Sequence, residues 1–253
     1  MNIEEALAFY IRPQTFPLAI KMLESEGEIP PGARRPLKDL KMGLAICQAI
    51  GMARRYGWSL ALTMEDISCP LGAVVFGFGR TVDYHLEGNL CFGMYTETLE
   101  AGARTEGETS RFETGKYEVL LVSPLFKADF EFDLILLYGN SAQIMRLVQA
   151  ALYREGGRLR GSSAGRADCS EAIIETIKTG DCQYVLPCYG DRVFGMTHDD
   201  EMVFTIPRDR VEDVIAGLEG THKGGVRYPI PHYALYEVKY PKSYEKLRDL
   251  IRG

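Results

Sequence analysis

Two stretches decide how this chain is read: Trp58–Val75, WSLALTMEDISCPLGAVV, and, a hundred residues further on, Arg158–Ile174, RLRGSSAGRADCSEAII. Each begins strand-like, passes through a polar loop and enters a helix at a cysteine, Cys69 in the first and Cys169 in the second. The match extends upstream. CQAIGMARRYG (Cys47–Gly57) answers VQAALYREGG (Val148–Gly157), so Gln48 pairs with Gln149 and Gly57 with Gly157, while FPLAIKML (Phe16–Leu23) answers FDLILLYG (Phe132–Gly139). A duplicated chain constrains the whole fold, and a unit of this length is too long for a solenoid repeat. The expectation is an α/β protein made of two strand–helix–strand–helix halves, related by a pseudo-twofold and carrying mixed sheets, with residues 1–116 forming one half and residues 117–253 the other.

Working outward, Asn2 and Glu5 predict a capping box for a short N-terminal helix, which is expected to lie as a lid on the first half. Apolar spacing predicts a helix over Lys38–Arg55, and Pro70 suits the first turn of a helix entered at Cys69. A short helix is expected over Tyr95–Ala103, followed by a polar connection, Arg104–Lys116. In the second half YEVLLVSPL (Tyr117–Leu125) and FDLILLYG predict strands, and Asn140–Ser141 caps a helix that Gly156–Gly157 ends. Strands are expected at Arg158–Ser162, at QYVLPCYG and at EMVFTIP, with a turn at His198–Glu201, a helix from Arg208 to Leu218, a strand YALYEVKY and a final helix.

Composition narrows the function. The 253 residues carry a net charge of −6, and no run of Lys or Arg exceeds two, which argues against nucleic acid or an anionic membrane as partner. The start, MNIEEALAFYIRPQ, lacks the basic and apolar regions of a secretory signal, and CPLGAVVFGF is about half the length of a membrane span. A cytoplasmic protein is the expectation, and a homo-oligomer stays open. Six cysteines are too few for a disulfide scaffold in a chain of this length, so they are expected to be thiols or ligands.

The runs CQAIGMARRYGWSLALTMEDISCPLGAVVFGFG, YGNSAQIMRLVQAALYREGGRLRGSSAGRADC and VLPCYGDRVFGMTHDDEMVFTIP resemble the uncharacterised ArCR family, from about Pro17 to Leu218. The resemblance implies cysteines as family features at Cys47, Cys69, Cys169 and Cys188, with Cys91 and Cys182 less typical. It implies no activity and no catalytic residue.

The residues themselves suggest chemistry. A cysteine at the start of a helix faces free backbone N–H groups that favour its thiolate, and the carboxyl ends of strands in α/β sheets are where ligands bind. Cys69 and Cys169 fit that description, Cys188 sits at a Pro–Cys–Tyr–Gly turn close to Arg192, and Cys47 falls on an apolar helix stripe. If Cys47, Cys69, Cys169 and Cys188 converge, they could hold zinc or an iron–sulfur cluster or do thiol redox chemistry, although the spacing C-x21-C-x99-C-x18-C contains no CxxC. Loop residues Ser162, Ser163, Gly165 and Arg166, with Arg192, suit an anion, and Thr63 and Glu65 in the partner loop suit a cation or hydroxyl. The alternatives are a small anionic ligand bound or transformed in a cleft between the halves, or a structural, partner-binding protein whose cysteines merely fill space.

Overall fold

The computed structural model describes residues 1–230 and 239–252. It is an α/β fold built on one six-stranded sheet in the order β2-β3-β1-β4-β6-β5, and every neighbouring pair of strands is antiparallel. The strands are β1 (Leu18–Leu23), β2 (Leu60–Leu62), β3 (Val119–Pro124), β4 (Leu134–Asn140), β5 (Gln183–Val185) and β6 (Glu201–Pro207). The helices are α1 (Ile3–Tyr10), α2 (Ile46–Tyr56), α3 (Pro70–Val75), α4 (Asp83–Leu86), α5 (Leu99–Glu108), α6 (Ser141–Ala151), α7 (Glu175–Thr179), α8 (Tyr189–Phe194), α9 (Val211–Lys223) and α10 (Lys242–Arg252). None of the described helices is long and apolar enough to cross a membrane.

The mixed sheets expected from the strand–helix–strand order are therefore replaced by a single antiparallel sheet, and the reason lies in the pairing. β1 and β2 run the same way, as a helical crossover requires, but β3 inserts between them and runs against both. β6 stands in the same relation to β4 and β5. The strands read as unbroken apolar runs because both faces of the sheet are covered, which is the usual reason for continuous hydrophobicity in a strand. Leu18, Ile20, Leu120, Val122, Leu134 and Leu136 point to one face, against Ile46, Ile50 and Ala53 of α2 and Ile173 and Ile174. Ala19, Ile135, Leu137, Phe204 and Ile206 point to the other, against α1, α6 and α9.

Other expectations are corrected by packing. α1 has its predicted capping box, with Glu5 N–H donating to Asn2 Oδ1 at 2.9 Å, but it lies on α9 rather than on the first half, because Ala6 and Leu7 share a core with Leu147 and Val214. Arg158–Ser162 forms no strand. β5 already fills the sheet position beside β6, and the loop passes so close to it that a Cβ on Gly161 would lie 2.5 Å from the Tyr184 carbonyl. The helix expected from Lys38 starts only at Ile46, after a π-helical turn (Pro36–Leu40) closed by Lys41 in a left-handed conformation. α5 extends into the stretch expected to be a polar connection. The turn before Glu201 joins α8 to β6 rather than two strands. The strand expected at YALYEVKY lies, but for its last two residues, outside the described residues.

Candidate functional site

Two corners of the sheet define the site. At the end of β2 the chain turns through Met64–Asp66 and enters α3 at Cys69, which is its N-cap and whose Sγ accepts the Gly72 N–H at 3.3 Å. At the end of β5 it passes Pro187 and enters α8 at Cys188, again the N-cap. Both helices end in Phe–Gly, at Phe76–Gly77 and Phe194–Gly195. Between the corners lies α2, with Cys47 in its first turn, and beside them the loop 158–168 delivers Asp168 and Cys169 to a π-helical turn (Ser170–Ile174) that continues into α7.

These elements enclose a cavity of 440 Å³ whose wall includes Cys47, Cys69, Cys169 and Cys188. Ile46, Leu71 and Phe194 supply apolar surface, and Arg166 and Asp168 supply charge. The four thiols line one cavity, but the expected pairing of Cys69 with Cys169 is not found. Cys69 caps a helix from extended backbone, whereas Cys169 is already helical and follows a loop, so the two begin dissimilar elements. In strand order and in the helix that follows, the counterpart of Cys69 is Cys188.

The electrostatics come from two carboxyls that sequence reading overlooked. Asp168 is 4% exposed and Asp191, on α8, is 1% exposed. Asp168 lies against the Cys188 thiol and the Asp191 carboxyl. Asp191 Oδ2 accepts hydrogen bonds from the Tyr138 hydroxyl at 2.9 Å and the Thr197 hydroxyl at 3.0 Å, while its buried Oδ1 has no partner. Among the described residues neither carboxyl forms a salt bridge with a basic side chain. Burial and the neighbouring Asp168 push Asp191 up to about 8, and burial also raises Asp168. The pair therefore retains a proton at neutral pH. Burial, followed by Asp168, pushes the Cys188 thiol up to about 12 and raises Cys169, and burial with both carboxyls raises Cys47. Sequence offered one signal for Asp168, its place directly before Cys169, and none for its meeting with Asp191.

Arg166 reaches the same wall, but its charge is committed. Its Nη1 contacts Glu106 and Cys91 in the interior, and its guanidinium lies 5.3 Å from the Tyr95 ring centre. Glu106 also meets His85 Nε2 at 2.7 Å. Of the other residues expected to bind a ligand, none lines this cavity. The Thr63 hydroxyl accepts from Arg35 Nη2 at 2.6 Å, Ser162 donates to Glu171 at 2.6 Å, Ser163 accepts the Gly165 N–H at 3.2 Å, and Arg192 donates to the His198 carbonyl at 2.6 Å. Glu65 is exposed. Among the described residues, no three His, Cys, Asp or Glu side chains are grouped so as to hold a metal ion.

Comparison with known proteins places the chain. The profile of the uncharacterised ArCR family, a domain of unknown function, matches residues 6–217, which span both corners and all four cavity cysteines. The chain belongs to the ArCR family. An uncharacterised protein from Methanocaldococcus jannaschii is 27% identical over 206 residues, covering 80% of this chain and 86% of that protein. No solved structure matches this ArCR chain.

Proposed function

We propose that this protein binds a small, largely apolar organic molecule in the thiol-lined cavity between the two corners. The observation that carries the reading is the cavity itself: thiols from four separate elements, together with Ile46, Leu71 and Phe194, meet around a space of 440 Å³. That volume lies within the range of about 300–1,000 Å³ common for small-molecule sites, and a mainly apolar wall with a few convergent polar groups is their usual composition. Neutral thiols act here as small polarizable hydrophobes, able to react once a ligand brings an electrophile or a soft metal to them. An anionic ligand is disfavoured, because Asp168 stands in the wall while Arg166 is neutralised by Glu106. Zinc or an iron–sulfur cluster on the four cysteines draws support from their convergence alone, and the absence of a grouped ligand set among the described residues favours the organic ligand.

The same reading includes an internal duplication with shifted boundaries. Residues 18–124 and 134–207 each supply three strands in which the third pairs between the first and second, and each sends its second strand into a cysteine-capped helix. In this account Cys69 and Cys188 are the repeat-mates, and the cavity lies where the copies meet.

The test is direct. n-Hexanol is expected to raise Tm in a concentration-dependent way and to slow alkylation of Cys47 and Cys188, since a ligand that binds only the folded state stabilises it by mass action. Leu71→Trp, which fills the space, is expected to abolish both effects. Unchanged Tm and unchanged labelling with hexanol and other small apolar probes would remove the reading.

A further inference from the structure

The Asp168–Asp191 pair is the feature of the cavity that an apolar ligand leaves unexplained. Burying a carboxylate without a cation costs several kcal/mol, and proteins ordinarily supply a Lys or Arg or neutralise the group. Other buried carboxyls have such a partner: Asp66 has Arg35, Glu201 has Arg54 and Arg55, and Glu106 has Arg166, while Glu171 has the Ser162 hydroxyl. Around the pair the elements offer the Tyr138 and Thr197 hydroxyls to Asp191, the Cys188 and Cys169 backbone N–H groups to Asp168, and the thiols of Cys47, Cys69, Cys169 and Cys188, but no cation. The Arg54 guanidinium stacks on the Tyr138 ring at 3.8 Å and its terminal nitrogens donate to Glu201, Thr197, Thr15 and the Met196 carbonyl, while Arg166 is paired with Glu106. Asp168, the member of the pair that lines the cavity, therefore faces it without a salt-bridge partner among the described residues.

We infer that the ligand of this cavity carries a protonated amine, which Asp168 receives from the cavity wall with Asp191 behind it, while the ligand's apolar body lies along Ile46, Leu71 and Phe194. The inference rests on the proposed function and names its ligand class. The cavity wall supports it. Asp168, a buried carboxyl without a salt-bridge partner among the described residues, lines the cavity. Phe194 adds an aromatic wall, a surface that attracts cations. The ammonium also relieves the like-charge contact between the two carboxyls, so binding draws the pair toward full ionisation and releases its proton to solvent.

The experiment compares molecules of one length and shape that differ only in the head group: n-hexylamine, n-hexanol and hexanoate, titrated against the full chain by calorimetry and thermal shift at neutral pH. A charge-assisted hydrogen bond is roughly twice as strong as a neutral one, so the amine is expected to bind at least tenfold more tightly than the alcohol, with hexanoate weakest. Asp168→Asn is expected to bring the amine down to the alcohol. Should that variant fail to fold, the ranking on the wild-type protein decides alone. Hexanol binding as tightly as hexylamine overturns the amine while leaving the apolar cavity in place, whereas no binding by any of the three removes both. A rise in Tm with Zn²⁺ and none with hexylamine also overturns the proposal, in favour of a metal on the thiols.

Discussion

The two strand-to-helix corners are built alike and neutralised differently. At the first, Asp66 is buried and fully served: Arg35 Nε donates at 2.7 Å, the Leu37 N–H at 2.9 Å and the Thr63 N–H at 3.1 Å. Burial alone would raise its carboxyl, but these donors hold it below the usual range. At the second, Asp191 is equally buried, yet the nearby arginine, Arg54, is turned to Glu201, and Asp191 keeps only two hydroxyls and an acidic neighbour. A corner that needed only stability would resemble the first. The second buries a carboxyl pair without a basic partner, and Asp168 of that pair lines a cavity, the kind of arrangement that marks a functional site.

The clamps themselves provide the strongest way to break this comparison. Arg54 is fully buried, doubly bonded to Glu201 at 2.6 and 3.0 Å and bonded to Thr197 at 3.1 Å, so it ties α2 to the second corner. Arg54→Ala is expected to cost about 3–5 kcal/mol, because it leaves Glu201 and Thr197 without their charged partner. Arg35→Ala is expected to cost less, about 1–3 kcal/mol, since backbone N–H groups still hold Asp66. Urea unfolding of both variants checks the order, and equal losses would mean that the corners are clamped alike.

Packing gives the next test. A Cβ on Gly51 of α2 would lie 2.4 Å from the Gly195 carbonyl at the end of α8, a backbone atom that cannot step aside. A Cβ on Gly72 of α3 would instead meet Ile46 Cδ1 at 3.0 Å, the far end of a flexible side chain. Gly51→Ala is expected to lower stability by about 3 kcal/mol and Gly72→Ala by less than about 1 kcal/mol, in thermal or urea unfolding.

Much of this contrast was readable in the chain, and the unread part has physical causes. The strands β1, β3 and β4, the helix after Asn140 and the helix entered at Cys69 follow from apolar runs and capping residues, which are local signals, whereas α8 lies where the strand QYVLPCYG is expected to continue. Arg158–Ser162 misled because it matches WSLAL in sequence, yet two arginines in five residues and an occupied sheet position keep it a loop. The convergence of the four thiols stayed conditional, because C-x21-C-x99-C-x18-C contains no local ligand spacing and one of the two corners lies at Cys188 rather than at Cys169. The carboxyl pair was unread, because Asp168 and Asp191 come from different elements, and the lack of a cation beside them is a property of the packed interior. The network of His85, Cys91, Glu106 and Arg166 is hidden for the same reason.

Titration sharpens the comparison with opposite signs. Asp191 is raised from 3.8 to about 8, so the folded state binds its proton more tightly than the unfolded chain. Its contribution is most favourable at low pH and is lost as pH rises from about 4 to about 8, with a slope of at most about 1.4 kcal/mol per pH unit. Asp66 is lowered, so its contribution is present above the unfolded pKa and lost as pH falls through the folded one. Asp191→Asn should therefore flatten the decline in stability between pH 4 and 8, and Asp66→Asn should flatten the loss on the acid side. An unchanged pH profile in Asp191→Asn would show that the pair does not store a proton.

The smallest effect is in thiol reactivity, and it compares the two capping cysteines directly. Alkylation proceeds through the thiolate, so the rate at neutral pH follows whatever favours the ionised sulfur. Cys69 Sγ accepts a backbone N–H from Gly72, a contact that strengthens when the sulfur is charged. Cys188 caps its helix in the same way in sequence, and the Asp191 N–H favours its thiolate likewise, but burial and then Asp168 outweigh that help and push the thiol up to about 12. Cys169 and Cys47 are raised by the same burial and the same carboxyls. Iodoacetamide is therefore expected to label Cys69 at least about tenfold faster than Cys188, Cys169 or Cys47 in the reduced, metal-free protein, the factor that corresponds to about 1.4 kcal/mol. Asp168→Asn removes the negative charge beside Cys188 and should speed its labelling while leaving Cys69 unchanged. If mass-spectrometric rates show Cys188 reacting as fast as Cys69 in the wild-type protein, the carboxyl pair does not govern the chemistry of its corner, and the difference between the two corners reduces to shape.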